Sequence, residues 1–286
     1  MFADRLARMA YDWRSRVRAL PDTNPDYERD PVALRADRFL KRCIPIAGTL
    51  GLKLDLLAAL SGTDKFGIHE YTPVYEEIMR SHRSKAISLL EMGVGGYKSM
   101  RGGESLLMWE AYFRRGRIYA IDIHDKTHLS RRRLKVFQCS QTDRKRLTDL
   151  CNEIGPFDFV IDDGSHISSH QIESFRILWP FVKDGGVYVV EDVQTSYWPK
   201  YGGGSVGSMT YYGSCVSFFK NIVDSVNLAE FLVPAGPEIG LDRTIGKVAF
   251  HHNLIMINKD LRVRRSNVAL DDRDTRNDLM VSRYGM

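Results

Sequence analysis

Two short acidic motifs, each directly after an apolar run, indicate metal chemistry in this sequence. The motif IDDGSH places Asp162, Asp163 and His166 together, and the motif VVED ends in Glu191 and Asp192. If the two runs are neighbouring strands, up to four carboxylates share one crevice, where like charges raise each other's pKa. A divalent cation would relieve that repulsion, and all-oxygen ligands favour Mg²⁺ first, with Mn²⁺ or Ca²⁺ possible.

The acidic motifs also suggest how the cation would be used. We predict that Asp163, Glu191 and Asp192 bind it, which leaves Asp162 to face a cofactor or to cap backbone groups. A hydroxyl bound to a divalent cation has a lowered pKa and a fixed orientation. An imidazole titrates near neutral pH, so His166, three residues after Asp163, is the predicted general base.

A glycine-rich turn after an earlier apolar run predicts a cofactor site. The segment EMGVGGY contains Glu91, Gly93 and Gly95, and its glycines allow the backbone to approach a ligand closely. The dinucleotide pattern G-x-G-x-x-G is not met, because position 98 is a lysine. The acidic residue before the glycines suits a ligand with positive groups. S-adenosylmethionine carries both an ammonium and a sulfonium and fits this requirement.

Polar residues after the next two apolar runs would complete the cofactor site. Asp122 ends the second run and could accept hydrogen bonds from both ribose hydroxyls. The third run leads into QCSQTD, where Gln141 and Asp143 could lie at the edge of the adenine. A glycine turn or a single aspartate is often only structural, but their order on successive strand ends favours a cofactor site.

Short apolar runs that alternate with helix-length segments must position these motifs. Strands are predicted at 86–92, 117–123, 134–139, 157–163 and 185–192, and helices at 104–113, 142–153 and 169–180. This alternation indicates a parallel sheet covered on both faces, which binds ligands at the carboxyl ends of its strands. The last two runs, within 247–259, predict an antiparallel hairpin. Together these features predict an α/β fold, the Rossmann-like seven-stranded sheet of class I methyltransferases.

Composition and the outer segments limit the class of protein. The 286 residues are 43% hydrophobic and 27% charged, which excludes a wholly disordered or coiled-coil chain. We predict an N-terminal helical extension at 1–60, the catalytic domain at 61–260 and a charged tail at 261–286. The net charge of +5 permits an anionic partner without requiring one. No apolar stretch reaches 18 residues, so we expect a soluble, cytoplasmic protein with no membrane partner.

The segment after Asp192 is too long for a simple connection and is rich in aromatic residues and glycines. This composition favours a mobile lid, with Tyr197, Trp198 and Tyr201 stacking on the ring of an acceptor. Tyr211 and Tyr212 lie in the same segment. The alternative is a surface loop with a small aromatic cluster of its own.

Several motifs together resemble the metal-dependent sugar O-methyltransferases of antibiotic and polysaccharide biosynthesis. They are TDK, HEYT, LLEMGVGGY, GGESLLMW, IYAIDIHDK, IDDGSH and VVEDVQTSYWPKYGG, and they cover roughly residues 61–260. The resemblance implies a class I fold, S-adenosylmethionine, Mg²⁺ and the ligands and base assigned above. It also implies a homo-oligomer and cofactor contacts at Glu91, Gly93 and Asp122, together with Tyr71, Thr72 and Ser105.

The expected function is therefore Mg²⁺-dependent methylation of a sugar hydroxyl on a glycosylated natural product or a saccharide. A catechol-type O-methyltransferase that acts on a phenol would use a divalent cation in the same way. Only a screen of acceptors therefore distinguishes the sugar-specific enzyme from the phenol-specific one. A hydroxylase is disfavoured, because the sequence shows no iron-binding motif of two histidines and a carboxylate. A module that binds RNA or a membrane surface would rest on arginine clusters such as 131–133, which contain few interleaved aromatics. We expect no nucleic-acid partner.

Overall fold

The computed structural model describes residues 8, 11–12, 31–96, 102–204, 213–231, 242–262 and 265–266. The helices are α1 Pro31–Thr49, α2 Leu54–Ser61, α3 Thr72–Met79, α4 Glu104–Tyr112, α5 Arg144–Ile154, α6 Ser168–Leu178 and α7 Cys215–Asn221. The strands are β1 Ser88–Met92, β2 Arg117–Asp122, β3 Leu134–Gln138, β4 Phe157–Asp162, β5 Val182–Glu191, β6 Ile245–His251 and β7 Leu254–Lys259. Two 3₁₀ helices, Val193–Tyr197 and Pro199–Tyr201, follow β5.

The seven strands form one sheet in the order β3-β2-β1-β4-β5-β7-β6. Strands β1 to β5 are parallel, and β7 runs antiparallel to both β5 and β6. The chain leaves β1 for β2 on one side and later returns to its other side with β4. This reversal opens a crevice at the carboxyl ends of β1 and β4, where ligands bind in such sheets. The predicted α/β fold with its terminal hairpin is confirmed.

The strand bounds agree with the apolar runs because buried parallel strands are apolar on both faces. The largest difference is at β5, which begins at Val182 rather than 185 because Val182 still pairs with Phe157 of β4. The register between β4 and β5 shifts at this point, and Gly185 has a φ of +72°. Sequence alone favoured a later start, since Lys183, Asp184 and two glycines interrupt the apolar run.

Each face of the sheet is covered by its own group of helices. Leu89 of β1 packs in one cluster with residues of α1 to α4, and Leu90 packs in a second cluster with residues of α5 to α7. This division follows from the two-residue period of a strand, which sends neighbouring side chains to opposite faces. We refer to these as the α4 face and the α6 face.

Helices α1 and α2 lie in the segment predicted as an N-terminal helical extension. Leu54 and Leu57 of α2 are fully buried and belong to the cluster on the α4 face, together with Leu89. The domain boundaries at 60 and 260 remain predictions. Of the first 20 residues, only 8, 11 and 12 are described, and all three are helical. Most of the predicted tail at 261–286 lies outside the described residues.

Among the described residues, no helix is long and apolar enough to cross a membrane.

Candidate active site

A cavity of about 540 Å³ opens at the carboxyl ends of β1, β2, β3 and β4. It is the place where the sheet topology predicts a ligand. Many of the residues that the sequence assigned to the cofactor, the metal or the base line this cavity. They are Gly93, Gly95, Ser105, Asp122, Gln141, Asp163, His166 and Asp192.

The glycine-rich turn and the end of β2 are joined by one carboxylate. Asp122 accepts a hydrogen bond from the backbone N–H of Val94 at 2.9 Å through Oδ2, and one from His124 at 2.8 Å through Oδ1. This side chain therefore fixes the turn after β1 against the turn after β2. Asp122 also lines the cavity, and its contact with a ribose remains a prediction.

Gly93 is required where the turn after β1 passes the turn after β4. Its φ is +92°, and a Cβ at this position would lie 2.0 Å from the backbone oxygen of Asp163. Gly95 has a φ of +77° but no atom within 4 Å of its would-be Cβ. Gly93 therefore allows two backbone segments to meet. Gly95 allows the backbone to adopt a positive φ, and the space beside it is open.

The consecutive acidic pair at the end of β4 is split between the two faces of the sheet. Asp162 continues the pattern of Val160, which faces α6, whereas Asp163 follows Ile161 on the α4 face. Glu191 likewise follows Val189 on the α4 face. Of the four carboxylates that the sequence grouped in one crevice, Asp162 is therefore separated from the others, as the two-residue period of a strand requires.

Asp162 lies below the cavity floor and positions another residue. Its buried carboxylate accepts hydrogen bonds from Gln141 Nε2 at 3.1 Å and from Ser174 and Tyr188 hydroxyls. Burial raises its pKa to about 6, against hydrogen bonds that lower it. Gln141 lines the cavity and accepts a hydrogen bond from the backbone of Ser165 at 2.7 Å. Asp162 therefore contributes to the cavity through Gln141.

Two other predicted cofactor residues have structural contacts. Asp143 is the N-cap of α5 and accepts a hydrogen bond from Arg146 N at 3.1 Å. Thr72 begins α3 and is fully buried, and its hydroxyl has no hydrogen-bond partner in the described part of the chain. Neither residue is among those that line the cavity.

Glu91 is buried beneath the glycine-rich turn and does not line the cavity. Its Oε2 accepts hydrogen bonds from Ser105 Oγ and Trp109 Nε1, both at 3.1 Å. Burial raises the pKa of this carboxyl to about 7, and the nearby charge of Lys65 offsets part of that increase. The contact with Ser105, which does line the cavity, is the route by which Glu91 would affect a bound cofactor.

Asp163, His166 and Asp192 form a group suited to a metal ion at the mouth of the cavity. One ligand-type atom from each lies within 4.8 Å of the others. His166 Nε2 is 3.7 Å from Asp192 Oδ2, and His166 Nδ1 is buried with no hydrogen-bond partner among the described residues. An imidazole nitrogen without a partner beside two carboxylates has the chemistry of a proton acceptor or of a metal ligand.

His166 and Asp192 also have unusual backbone conformations. Their φ angles are +57° and +54°, in the left-handed region that favours glycine. Such conformations cost on the order of 1 kcal/mol or more each and persist where the surrounding structure imposes them. Thr195 Oγ1 donates to the carbonyl of His166 at 2.8 Å and so connects the two turns.

Lys65 is the residue of this site that the sequence did not assign. Its ammonium is fully buried and lies 2.7 Å from Asp163 Oδ2, 2.6 Å from Glu191 Oε2 and 3.2 Å from Glu91 Oε1. Burial alone would lower its pKa, but the charges of Asp163, Glu191 and Glu91 raise that pKa well above its ordinary value. Lys65 is therefore a cation built into the acidic cluster.

Glu191 is held on this inner side of the cluster. Besides its contact with Lys65, its carboxylate accepts a hydrogen bond from the Tyr75 hydroxyl. Burial and the neighbouring charge of Asp163 raise the pKa of Glu191 well above its ordinary value. Asp163 and Glu191 are close enough to share one ammonium, but Glu191 is outside the group of ligand-type atoms formed by Asp163, His166 and Asp192.

Asp192 is contacted by residues of the segment before α3, the same segment that contains Lys65. Tyr71 donates its hydroxyl to Asp192 Oδ1 at 2.8 Å, and His69 Nδ1 lies 3.4 Å from the same oxygen. The His69 ring stacks on Tyr71, and a hydrogen bond to Asp64 raises the pKa of His69. Tyr71, predicted to contact the cofactor, does not line the cavity and instead contacts a predicted metal ligand.

Of the predicted lid residues, Tyr197 and Tyr201 end the two 3₁₀ helices after β5, and Trp198 lies between these helices. Tyr197 and Trp198 are about half exposed, at 52% and 49%, and the ring of Trp198 is 5.9 Å from that of Tyr201. None of these three residues lines the cavity in this conformation. Tyr211 and Tyr212 lie outside the described residues.

Known proteins resemble this chain over about three quarters of its length, although no family model matches it. It is 45% identical over 205 residues to the 8-demethyl-8-alpha-L-rhamnosyl tetracenomycin-C 2′-O-methyltransferase of Streptomyces olivaceus, which covers 71% of this chain and 53% of that protein. It is 39% identical over 221 residues to the mycinamicin VI 2″-O-methyltransferase of Micromonospora griseorubida, covering 75% and 55%. The chain thus spans about half the length of the curated relatives it matches.

Solved structures show the same relationship. MycE methyltransferase from the mycinamycin biosynthetic pathway, in complex with Mg and SAH, superposes with a TM-score of 0.72 and 36% identity over 82% of this chain and 60% of that chain. A MycE complex with Mg, SAH and mycinamycin VI gives a TM-score of 0.66 and 38% identity over 73% and 54%. The resemblance inferred from the motifs is confirmed, and the matched part of this chain is a relative of these O-methyltransferases with their class I methyltransferase fold.

Proposed function

We propose that this protein is an S-adenosylmethionine-dependent O-methyltransferase that uses Mg²⁺ and acts on a sugar hydroxyl of a glycosylated natural product or saccharide. The observation that carries this proposal is the position of Asp163, His166 and Asp192 at the mouth of a cavity behind the glycine-rich turn. The relatives support it, since they are named as O-methyltransferases of rhamnosyl and mycinamicin compounds.

The chain's own residues fit a hard divalent cation. Two carboxylates and one imidazole offer ligand atoms within 4.8 Å of one another, and hard oxygen ligands suit Mg²⁺. Asp163 and Asp192 would hold the ion, and Glu191, the third predicted ligand, would have to share its carboxylate with Lys65. When bound, Mg²⁺ acts as a Lewis acid that lowers the pKa of a coordinated hydroxyl.

His166 is the residue proposed to accept the proton of the acceptor hydroxyl. Its turn is fixed by Thr195, and its Nε2 lies on the side of Asp192. A proton transferred to this imidazole in the transition state contributes typically about 10² to 10⁴ in rate. The acceptor oxygen then attacks the methyl carbon of S-adenosylmethionine, and S-adenosylhomocysteine leaves.

The cavity behind these residues would hold the donor. Asp122 and Gln141 both line the cavity, where Asp122 would accept hydrogen bonds from the ribose hydroxyls and Gln141 would lie at the edge of the adenine. Gly95 leaves open space beside the turn after β1 for the methionine part of the cofactor, and Gly93 also lines the cavity. Trp198 and Tyr201 remain proposed lid residues that would stack on the acceptor once the segment closes.

The experiment that tests this function is methyl transfer to a rhamnosylated or deoxysugar-bearing acceptor, followed by mass spectrometry. We expect activity to vanish with excess chelator and to return with Mg²⁺. Asp163→Asn and His166→Asn should each lower turnover by about 10² or more while the affinity for S-adenosylhomocysteine changes little. Full activity in excess chelator would reject the metal-dependent reaction, and transfer to phenols alone would favour the catechol-type alternative.

The geometry of the candidate metal site does not favour the hydroxylase alternative. Two histidines, His69 and His166, flank Asp192, but the group that could bind a metal contains two carboxylates and one histidine. That donor set differs from the two-histidine, one-carboxylate triad of non-haem iron oxygenases.

A nucleic-acid partner remains unexpected. Two arginines of the cluster at 131–133 are engaged within the chain, because Arg131 pairs with Glu110 and Arg133 donates to the carbonyls of Phe113 and Gly116. The homo-oligomer that the resemblance implies remains part of the proposal.

A further inference from the structure

The loop between α2 and α3, residues 62–71, approaches the predicted metal ligands from outside the sheet. Helix α2 ends at Gly62, whose φ of +85° turns the chain toward the cavity. The carbonyl of Lys65 accepts hydrogen bonds from the backbone of Tyr71 at 2.9 Å and Thr72 at 3.2 Å. The backbone of Lys65 is therefore fixed against the start of α3, and its side chain leaves the loop from a defined position.

This loop contacts each of the three predicted ligands. The ammonium of Lys65 donates to Asp163 Oδ2 at 2.7 Å and to Glu191 Oε2 at 2.6 Å. Tyr71, at the end of the loop, donates to Asp192 at 2.8 Å. The same ammonium lies 3.2 Å from Glu91 Oε1 as an ion pair.

We propose that Lys65 is a positioning residue for the metal site, which fixes the Asp163 carboxylate by holding its Oδ2 against Glu191. This inference rests on the proposed function, because it concerns the site that function requires. Asp163 is the ligand concerned because it contacts Lys65 and also lines the cavity, with 24% of its side chain exposed. Glu191 and Glu91 are buried and act as the other anchors of the ammonium.

The physical reason is that a metal ligand must be oriented before the ion arrives. Without the ammonium, Asp163 and Glu191 repel each other and Asp163 loses the donor that fixes its rotamer. Outer partners of metal ligands typically contribute about 10- to 100-fold to metal affinity. A second effect has the opposite sign, because removal of a positive charge makes the cluster more attractive to a cation. The direction of the change in affinity therefore distinguishes positioning from simple competition between two cations.

The test is Mn²⁺ binding to protein saturated with S-adenosylhomocysteine, measured by electron paramagnetic resonance and calorimetry. Lys65→Met keeps the length of the side chain and removes its charge. We expect the Kd for Mn²⁺ to rise about 10- to 100-fold while the Kd for S-adenosylhomocysteine stays within about threefold. The matched control is Lys259→Met, which removes another buried lysine that donates to the carbonyl of Trp179 at 2.8 Å, away from the cavity. It should leave the affinity for Mn²⁺ unchanged.

The outcomes separate this inference from the proposed function. If the wild-type protein binds no Mn²⁺, the proposed function fails and the role of Lys65 fails with it. If the wild type binds Mn²⁺ and Lys65→Met binds it equally well or more tightly, only the inference about Lys65 is overturned. Should Lys65→Met not fold, Lys65→Gln, which keeps a hydrogen-bond donor without the charge, is measured in the same way. Failure of both variants to fold would replace the positioning role with a purely structural one.

Discussion

At the scale of single residues, the site is organised by the balance between buried carboxylates and one buried ammonium. Glu91, Asp163 and Glu191 meet Lys65 on the α4 face, so only part of their negative charge is compensated within the chain. Asp192 lies apart from this cluster and is held by His69 and Tyr71. The remaining charge around Asp163 and Asp192 is the electrostatic reason for a divalent cation at the cavity mouth.

The raised pKa of Glu91 predicts a pH dependence of stability. In the folded state Glu91 keeps its proton up to about pH 7, against an ordinary value of 4.5. The folded state binds more protons between these values, so its stability falls as the pH rises through this window, by on the order of 3 kcal/mol. Glu91→Gln stays neutral and should lack this component. Urea denaturation of both proteins across the window measures it, and parallel pH profiles would contradict the assignment.

Single residues were partly predictable from the sequence. Asp163, His166 and Asp192 belong to compact motifs, so their proximity follows from neighbouring strand ends. Lys65 is separated from Asp163 by 98 residues and from Glu191 by 126, and no local spacing connects them. The need to compensate the negative charge of several buried acids could have pointed to Lys65, since such a cluster needs a cation and the TDK motif contains a lysine.

At the scale of elements, the turns after β1 and β4 are fitted to each other. Gly93 leaves space for the backbone of Asp163, and the backbone N–H of Asp163 donates to the carbonyl of Met92 at 3.0 Å. The cofactor turn and the metal-binding turn are therefore one unit. A disturbance of the glycine-rich turn should move Asp163 as well.

Two glycine variants test this coupling with a built-in control. Gly93→Ala and Gly95→Ala both place a side chain at positive φ, which costs on the order of 1 kcal/mol. Only Gly93→Ala also meets a backbone atom, at 2.0 Å, so it should destabilise the fold by about 1–3 kcal/mol more than Gly95→Ala. Thermal unfolding and S-adenosylhomocysteine binding measure the difference. Equal effects of the two variants would contradict the close approach.

The elements were more predictable than the contacts between them. Continuous apolar runs identified the parallel strands, because a strand buried on both faces is apolar at every position and does not alternate with polar residues. The direction of side chains was missed at Glu91, predicted to contact the cofactor, and at Glu191, predicted to bind the metal. Glu91 pairs with Ile161 of β4, which pairs with Val189 of β5, so Glu91 and Glu191, two residues after Val189, both lie on the α4 face beneath the cavity.

At the scale of the whole molecule, the described chain contains the class I fold and a candidate active site. The relatives are longer, and the chain covers 53% to 55% of those compared above. Helices α1 and α2 pack on the same face of the sheet as α4, so the loop that carries Lys65 is supported by the segment before the sheet.

The most direct test of the central claim is a crystal of the protein with Mn²⁺ and S-adenosylhomocysteine, measured at the manganese absorption edge. We predict an anomalous peak at the cavity mouth, within about 2.5 Å of a carboxylate oxygen of both Asp163 and Asp192. S-adenosylhomocysteine should lie against Gly93 and Asp122 in the same crystal. A cavity that holds S-adenosylhomocysteine but shows no anomalous peak beside these two aspartates would contradict the account.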